Sequence, residues 1–148
     1  MPKCTDEAIE FGRVGRRVVR AAFDGGDIVS DGGVLLLKRV DERLGLTRAA
    51  ALAFGDERRS ASVEHSVHSL LAQRIYGLCL GWSDVCDHNV LRNDLVMQTA
   101  VGRAEPLASA PTLSRLETAA TPQRAAALHE VLMRQFIAAR PELWNEDI

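Results

Sequence analysis

The chain has 148 residues, of which 47% are apolar and 26% are charged, a composition that is typical of one globular domain and excludes wholesale disorder. No apolar run approaches the roughly 18 to 20 residues that cross a bilayer, and the N-terminal sequence lacks the apolar core of a signal peptide, so we expect a cytoplasmic protein without membrane contact. With a net charge of −2, DNA binding would require a local basic patch, because domains that hold nucleic acid by phosphate contacts are usually basic.

The first predicted element is a β-hairpin over residues 16–30. Two short apolar runs flank Asp24-Gly25-Gly26, and glycine adopts the positive φ angles of a tight turn at no steric cost. Because an isolated two-stranded ribbon is marginal in water, the hairpin should pack on helices or extend a sheet formed elsewhere.

The segment from Asp31 to Leu46, DGGVLLLKRVDERLGL, predicts the first helix. Its apolar side chains recur four residues apart, which places them on one face of a helix. We therefore expect the core to be contacted by Leu36, Val40 and Leu44, on a face widened by Leu37.

The strongest helical pattern lies between Ser62 and Trp82. Apolar residues recur there at intervals of three and four, the spacing of one buried face, and Ser62 is a natural N-cap. This face contains Val63, Val67, Leu70, Leu71, Ile75, Leu78 and Trp82. The centre of the core is expected at Leu70, Leu71, Ile75 and Leu78.

Shorter helices are predicted in SDVCDHNVL and DLVMQTAV, followed by another that opens at Pro111 or Thr112. The last helix should begin at Pro122, behind an N-cap at Thr121, and stop before Pro141. The predicted fold class is therefore mainly α, a helical domain with a small N-terminal β-hairpin.

Two groups of side chains suggest metal chemistry, and each has a simpler structural explanation. Asp84, Asp87 and His88 lie within one turn and would suit a hard or borderline cation, but acidic residues at a helix start are favoured by the helix dipole in any case. His65 and His68 lie three apart without a third ligand nearby, so exposed or hydrogen-bonded histidines are expected. We therefore predict no metal ligand.

Four arginines cluster before and inside the predicted hairpin: Arg13, Arg16, Arg17 and Arg20. They are the candidate DNA-binding residues, because guanidinium groups contact phosphates. A solvated strand face explains the same cluster equally well, so the residues alone leave both interpretations open.

Four stretches carry a family resemblance: FDGGDIVSDGGVLLLKRVDERLGL, HSLLAQRIYGLCLGWSDVCDHNVLRND, LASAPTLSRLE and LHEVLMRQFIA, which together span about Phe23 to Ala139. In this order they resemble the N-terminal region of bacterial insertion-sequence transposases of the DDE class, in the group numbered thirteen-eighty. That group similarly carries Asp-Gly-Gly before a leucine-rich helix, Gln-Arg-x-Tyr leading to Asp-His and Leu-Arg-x-Asp, and a Pro-Thr-Leu-Ser-Arg joint. The ordered set is more specific than any one of these motifs.

The resemblance implies a helical region in front of an RNase-H-like catalytic domain, whose three carboxylates hold the metal ions, Mg²⁺ in the full-length family. Those carboxylates are expected in sequence that this chain lacks, and Asp147 is not in the Asp-x-Asp-x-Thr context of the family's first one. We therefore expect a truncated transposase without a cofactor of its own. Its expected parts are an arm and hairpin (1–30), a helical region (31–140) and the start of the catalytic domain (141–148).

No catalytic residue is assigned, because Asp84 and Asp87 match a family motif but not the catalytic carboxylates. Whether the chain is an enzyme is therefore open at this point. The expected role is DNA binding or multimer contact in transposition, with insertion-sequence ends and a second copy of the chain as partners. The alternative is a helical protein–protein interaction module that does not bind nucleic acid.

Overall fold

The computed structural model describes residues 8–22, 31–58 and 63–140. Within these residues, one antiparallel sheet of two strands precedes seven helices, so the prediction of a mainly helical fold with a small N-terminal hairpin is confirmed. The elements are β1 (Ile9–Val14), β2 (Arg17–Ala21), α1 (Val34–Leu44), α2 (Leu46–Phe54), α3 (Val67–Cys79), a 3-10 turn (Val85–Asp87), α4 (His88–Leu91), α5 (Leu95–Val101), α6 (Ala110–Thr118) and α7 (Pro122–Ala139).

The hairpin that the structure shows turns at Gly15 and Arg16, earlier in the chain than the predicted turn. Val14 pairs with Arg17, which leaves a two-residue loop, and the φ of +58° at Gly15, without a positive φ at Arg16, fits the first position of a type II′ turn. The residues predicted to form the first strand therefore form the second one. The predicted turn at Asp24-Gly25-Gly26 lies outside the described residues.

The hairpin lies on the helical body. Phe11 and Val19 pack against a core cluster that includes Val34, and the Arg39 guanidinium of α1 lies 4.7 Å from the centre of the Phe11 ring. Arg39 also donates a hydrogen bond to the carbonyl of Glu10. These contacts supply the support that a two-stranded ribbon lacks in water. Of the two predicted arrangements, the structure therefore shows packing on helices.

The predicted core face of α1 is wrong for three of its four residues. Val34 and Leu35 are buried in its first turn, whereas about half of each of three predicted core side chains is exposed: Leu36 (56%), Val40 (52%) and Leu44 (45%). Leu37 does pack, partly buried, against a core cluster, as predicted. The helix is held instead through Lys38 and Asp41, and Lys38 Nζ donates to the carbonyl of Thr99 at 3.2 Å. A prediction from apolar spacing assumes that charged side chains face the solvent. Lys38 and Asp41 face the body instead, so the spacing selected the wrong face of the helix.

Helix α3 begins at Val67, later than predicted. The Ser66 hydroxyl accepts a hydrogen bond from the Ser69 N–H at 3.1 Å, which satisfies one of the free donors at the helix start. The predicted N-cap, Ser62, lies outside the described residues. The N-cap of this helix is therefore a serine, as expected, but it lies one turn further along the chain.

The core prediction on α3 is correct for its middle and wrong for its end. Leu70 and Leu71 are buried, and Ile75 packs, half-buried, against both core clusters of the fold. Leu78 is 49% exposed, and Trp82 is also exposed, because Tyr76 and Gly77 take the inward positions at that end. The two clusters consist of Val34, Leu35, Ala72, Tyr76, Leu91, Met97, Ala100 and Leu107, and of Ala50, Phe54, Val67, Leu70, Leu71, Ala108, Leu113 and Leu116.

The later helices begin close to the predicted positions. Thr121 caps α7 by accepting from the Arg124 N–H at 3.2 Å, as predicted, and α6 starts at Ala110, just before Pro111. Helix α7 ends before Pro141, also as predicted. Across the described parts of the chain, no helix is long and apolar enough to cross a membrane.

Candidate functional site

A buried junction of hydrogen bonds joins α3 to the loop before α6. The amide nitrogen of Gln73 donates to the carbonyl of Ala108 at 2.9 Å, and its amide oxygen accepts from the Ala108 N–H at 3.0 Å. Both backbone groups of Ala108 are thus satisfied by one side chain, as buried polar groups require. This two-point contact fixes the Pro-Thr-Leu-Ser-Arg joint against the central helix.

The Gln73 amide also sets the hydrogen-bonding form of His88. The two hydrogen bonds to Ala108 identify which atom of the Gln73 amide is the nitrogen. The second N–H of this nitrogen is left for Nδ1 of His88, and the two nitrogen atoms are 3.2 Å apart. Nδ1 therefore accepts, and the neutral ring carries its hydrogen on Nε2, which is buried without a partner. Burial lowers the pKa of His88 below its ordinary 6.5, which favours this neutral form.

A second polar junction joins α1, α2 and α3. The Asp41 carboxylate accepts from the Thr47 N–H at 2.9 Å, from the Thr47 hydroxyl at 2.5 Å and from the Tyr76 hydroxyl at 2.9 Å. Having donated to Asp41, the Thr47 hydroxyl accepts from Nε2 of His68 at 3.1 Å. Burial raises the pKa of Tyr76, and the nearby Asp41 charge raises it further. Thr47 is buried at the centre of this junction, which holds the three helices together.

Two arginines of the recognised motifs also fasten loops. Arg74 donates to the carbonyl of Ser83 at 2.9 Å and pairs with Glu117 at 2.6 Å. Arg92 donates through Nε to the carbonyl of Leu107 at 3.1 Å. The Gln-Arg-x-Tyr and Leu-Arg-x-Asp motifs are thus explained by contacts that shape the fold.

The structure does not bring Asp84, Asp87 and His88 together as ligands. The Asp84 carboxylate accepts from the Cys86 N–H at 2.8 Å, and this hydrogen bond holds the pKa of Asp84 below its ordinary value. His88 is enclosed in the junction with Gln73. Among the residues that the structure describes, no group of three or more His, Cys, Asp or Glu side chains is arranged to hold a metal ion.

His65 and His68 belong to different environments. His68 contacts Thr47, so the expectation of a hydrogen-bonded histidine holds there, whereas His65 is buried beside Glu64. Burial lowers the pKa of His65 and the Glu64 carboxylate opposes this shift, but further lowering comes from the positive charges of Arg103, Arg92 and Arg58. The two histidines do not form a ligand pair.

Two of the four candidate arginines make contacts within the chain. Arg17 donates through Nη1 to Oε1 of Gln98 at 2.9 Å and through Nη2 to the carbonyl of Ala104. Arg20 pairs with Glu10 on the neighbouring strand at 2.6 Å. Arg17 therefore anchors the tip of the hairpin to the loop after α5, and Arg20 links β2 to β1.

The other two candidates, Arg13 and Arg16, are exposed. Neither guanidinium group has a hydrogen-bond or ion-pair partner among the described residues. All their guanidinium donors are thus available to a ligand, which is not true of Arg17 and Arg20. The assignment of the four arginines to DNA remains a prediction.

A cleft with a volume of about 520 Å³ lies between α2, α3, α6 and α7. Most of its charges are paired: Arg58 with Asp56 at 2.7 Å and Arg124 with Glu57 at 3.0 Å. The Arg58 hydrogen bond lowers the pKa of Asp56 to about 2. No sequence motif indicated this cleft, because its lining comes from separate segments of the chain. Its balanced charges give it no preference for an anion or a cation.

The sequence profile of the family described as Transposase DDE domain group 1 matches residues 11–144. The chain belongs to this family. No curated protein and no solved structure matches it. The match to this DDE transposase family covers most of the chain and confirms the transposase class that the motifs implied. It does not distinguish the group numbered thirteen-eighty from other groups.

DDE transposases are expected to hold Mg²⁺ between carboxylates drawn from separate elements. The described residues of this family member do not fit that requirement. Asp84 caps the 3-10 turn, Asp94 caps α5 by accepting from the Met97 N–H at 2.7 Å, and Asp41 accepts three hydrogen bonds in its junction. These carboxylates stabilise the fold and do not converge on a common point.

Proposed function

We propose that this chain is the helical, non-catalytic part of an insertion-sequence transposase of the group numbered thirteen-eighty, and that it holds DNA by phosphate contacts. The RNase-H-like fold and its three carboxylates would belong to residues outside those that the structure describes. The division at residues 30 and 140, and a cytoplasmic location, are parts of the same proposal. The family match over residues 11–144 supports the transposase assignment.

The observation that carries the DNA-binding proposal is the position of Arg13 and Arg16 on an anchored hairpin. Both guanidinium groups are exposed and unpaired, while the neighbouring Arg17 holds the hairpin tip to Gln98 and Ala104. The tip lies so close to the loop that a Cβ at Gly15 would be 3.3 Å from the Cβ of Ala104. An anchored hairpin presents its charges with less loss of conformational freedom than a flexible arm.

Phosphate contacts of this kind position a protein on DNA without reading its bases. The proposal therefore concerns attachment to duplex DNA, and the local charge of the hairpin supplies what the net charge of −2 does not. Recognition of a particular insertion-sequence end would need contacts to base edges.

The proposal also includes that the described residues do not cleave DNA. The carboxylates of Asp84 and Asp94 accept hydrogen bonds as helix caps, and the carboxylate of Asp41 accepts hydrogen bonds in its junction. Nicking of a supercoiled plasmid by the purified chain with Mg²⁺ or Mn²⁺, abolished by Asp84→Asn, would overturn this part.

Fluorescence anisotropy with a labelled duplex, repeated over a series of salt concentrations, tests the DNA contact. The variant Arg13→Ala/Arg16→Ala should weaken binding to any duplex equally and should flatten the plot of log affinity against log salt by about two, one for each lost phosphate contact. The matched control is Arg43→Ala/Arg48→Ala, which removes two exposed, unpaired arginines from α1 and α2. Equal losses in both variants would contradict the assignment to the hairpin.

The alternative is a protein-interaction module that does not bind nucleic acid. The net charge of −2 and the exposed apolar side chains of α7 favour it. In the same titration, this alternative gives no duplex binding by the parent chain at any salt concentration.

A further inference from the structure

The Gln98 side chain of α5 is buried and uses both ends of its amide. Its oxygen Oε1 accepts from Nη1 of Arg17 at 2.9 Å, and its nitrogen Nε2 donates to the carbonyl of Arg92 at 3.0 Å. Because a guanidinium only donates and a carbonyl only accepts, the amide has one possible orientation at this position. A carboxylate would lose the contact with Arg92, and an apolar side chain would lose both contacts.

Gln98 is itself held firmly by the body of the fold. The Arg103 N–H donates to the main-chain carbonyl of Gln98 at 2.8 Å, where Gly102 ends α5. The Arg92 carbonyl that receives the amide also accepts from the Leu107 N–H at 2.9 Å. Gln98 therefore lies where α5, the end of α4 and the loop before α6 meet, and it provides the hairpin with a fixed point of attachment.

The part of the hairpin that Gln98 holds is the last residue pair before the turn. Arg17 pairs with Val14 in the sheet, and the two exposed arginines, Arg13 and Arg16, are the neighbours of this pair along the chain. Apolar contacts keep the hairpin on the body but are not directional, whereas a hydrogen bond weakens steeply away from its preferred angle. The bond from Arg17 to Gln98 thus fixes the orientation of the backbone that carries both exposed arginines.

We propose that Gln98 is a positioning residue for DNA: it acts through Arg17 to hold Arg13 and Arg16 in the orientation that meets the duplex, and it contacts no phosphate itself. This inference rests on the proposed function. A hairpin that spent only about a tenth of its time in the binding orientation would bind about ten-fold more weakly. Every phosphate contact would still form in the complex, so the number of released counterions would not change.

Fluorescence anisotropy with a labelled duplex, repeated over a series of salt concentrations, separates positioning from contact. Gln98→Met should lower the affinity at least about five-fold at every salt concentration, and the slope of log affinity against log salt should stay as in the parent. Arg17→Ala should also keep the parent slope although it removes a charge, because this arginine is used within the chain. Arg13→Ala/Arg16→Ala, by contrast, should flatten the slope by about two.

A double variant tests whether Gln98 acts through Arg17. Gln98→Met/Arg17→Ala should bind the duplex no more weakly than Arg17→Ala alone, because the second substitution then has no partner left to affect. Hydrogen exchange makes the same comparison without DNA. The β1–β2 amides should lose protection in Gln98→Met, and adding this substitution to Arg17→Ala should cause no further loss.

Gln98→Met should fold, since the Arg92 carbonyl keeps the Leu107 N–H and Arg17 keeps the Ala104 carbonyl. Circular dichroism checks this. If the methionine variant does not fold, Gln98→Ala removes the same two hydrogen bonds with a smaller side chain and should give the same results.

Two control variants distinguish positioning from a general loss of stability. Thr99→Val changes the next buried residue of α5, whose hydroxyl donates to the Leu95 carbonyl at 2.7 Å, and it should leave duplex binding unchanged. Leu71→Ala opens a cavity in the core cluster around Phe54, whereas the hairpin packs on the other cluster. It should lower stability but leave the affinity and the slope as in the parent.

Parent affinity in Gln98→Met beside a weakened Arg13→Ala/Arg16→Ala would overturn this inference alone. So would a flattened slope in Gln98→Met, unchanged exchange of its hairpin, or an equal loss of affinity in Leu71→Ala. No duplex binding by the parent chain at any salt concentration would overturn the proposed function, and this inference with it. The failure of the positioning role is thus distinguished from the failure of DNA binding itself.

Discussion

The imidazole ring of His88 occupies the space beside Gly77 in which a side chain would have to lie. A Cβ at Gly77 would be 2.8 Å from Cε1 and 3.0 Å from Nε2 of His88. The ring is fully buried and held through Nδ1 by Gln73, so it has little room to move away. Glycine inside a helix usually costs about 0.5–1 kcal/mol relative to alanine. Here the histidine ring explains why a glycine stands in the last turn of α3.

Gly77→Ala should therefore destabilise the chain by about 1–3 kcal/mol, the usual effect of overpacking a filled interior. Urea denaturation measures the free energy of unfolding. Gly33→Ala is the control, because Gly33 has a φ of −56° and open space around its Cβ position. That variant should be neutral or more stable by up to about 1 kcal/mol. Equal stabilisation by both substitutions would show that the His88 ring moves away to make room for the new methyl group.

Acidification should destabilise the fold through His88 and His65. Burial lowers the pKa of both below 6.5 in the folded chain, so the unfolded chain takes up protons at a higher pH than the folded chain does. The contribution of these histidines to the free energy of unfolding should thus be constant at pH values above 6.5, the pKa of histidine in the unfolded chain. It should decrease as the pH drops through and below 6.5. Urea titrations at about pH 7.5 and about pH 5.5 measure this fall, since these conditions lie on either side of the unfolded pKa.

His88→Gln removes one of the two titrating groups. The variant should be less stable than the parent at neutral pH, since it disturbs a filled site, but its further loss on acidification should be smaller. A direct check is the ¹H–¹³C NMR titration of the His88 ring, whose midpoint should lie below 6.5. A midpoint at or above that value would contradict the argument from burial.

The contact between Gln73 and Ala108 should contribute strongly to stability. Gln73→Met keeps most of the side-chain volume but leaves the N–H and the carbonyl of Ala108 without partners in a buried site. Each unsatisfied buried group costs about 1–3 kcal/mol, so the loss in urea denaturation for the two groups should be about 2–6 kcal/mol in total. Gln123→Met, at an exposed position of α7, should change stability by less than about 0.5 kcal/mol. Similar losses in the two variants would refute a special role for Gln73.

Local sequence signals located much of the fold. Thr121 and Pro122 marked the start of α7, and Leu70 and Leu71 marked the buried middle of α3, because capping and apolar spacing depend on nearby residues alone. The same spacing failed on α1, where Lys38 and Asp41 face the body. Lys38 and Asp41 face inward there because they form hydrogen bonds with Thr99 and Tyr76 of other helices. Apolar spacing contains no information about such partners.

The candidate site was harder to predict than the helices. The sequence indicated that Gln73 and His88 belong to recognisable motifs, but the contact of Gln73 with Ala108 joins positions 35 residues apart, and local patterns do not reveal such pairs. The grouping of Asp84, Asp87 and His88 illustrates the reverse error. Proximity along the chain suggested a shared site, whereas the structure gives Asp84 and His88 separate hydrogen-bonding roles.

Substitutions along α3 should distinguish its buried residues from its exposed ones. Leu71→Ala should cost about 2–5 kcal/mol, because the side chain is removed from a filled core. Leu78→Ala should cost less than about 1 kcal/mol, since half of that side chain is already exposed. Urea denaturation of the two variants gives the comparison. A larger loss for Leu78 would mean that a second copy or another partner buries it in solution.

The last prediction concerns the anchoring of the hairpin by Arg17. Arg17→Ala removes the hydrogen bonds to Gln98 of α5 and to the carbonyl of Ala104 in the loop after it, which link the hairpin tip to this part of the body. The β1–β2 amides should then exchange with solvent faster, because local opening of a two-stranded ribbon costs little once its support is weakened. Hydrogen exchange by mass spectrometry measures this loss of protection, with the Leu70 to Tyr76 part of α3 as an internal reference. Arg13→Ala is the matched control, since Arg13 has no partner to lose among the described residues, and it should leave exchange in the hairpin unchanged. If Arg17→Ala left the hairpin as protected as in the parent, the apolar contacts of Phe11 and Val19 with the core would be sufficient anchors.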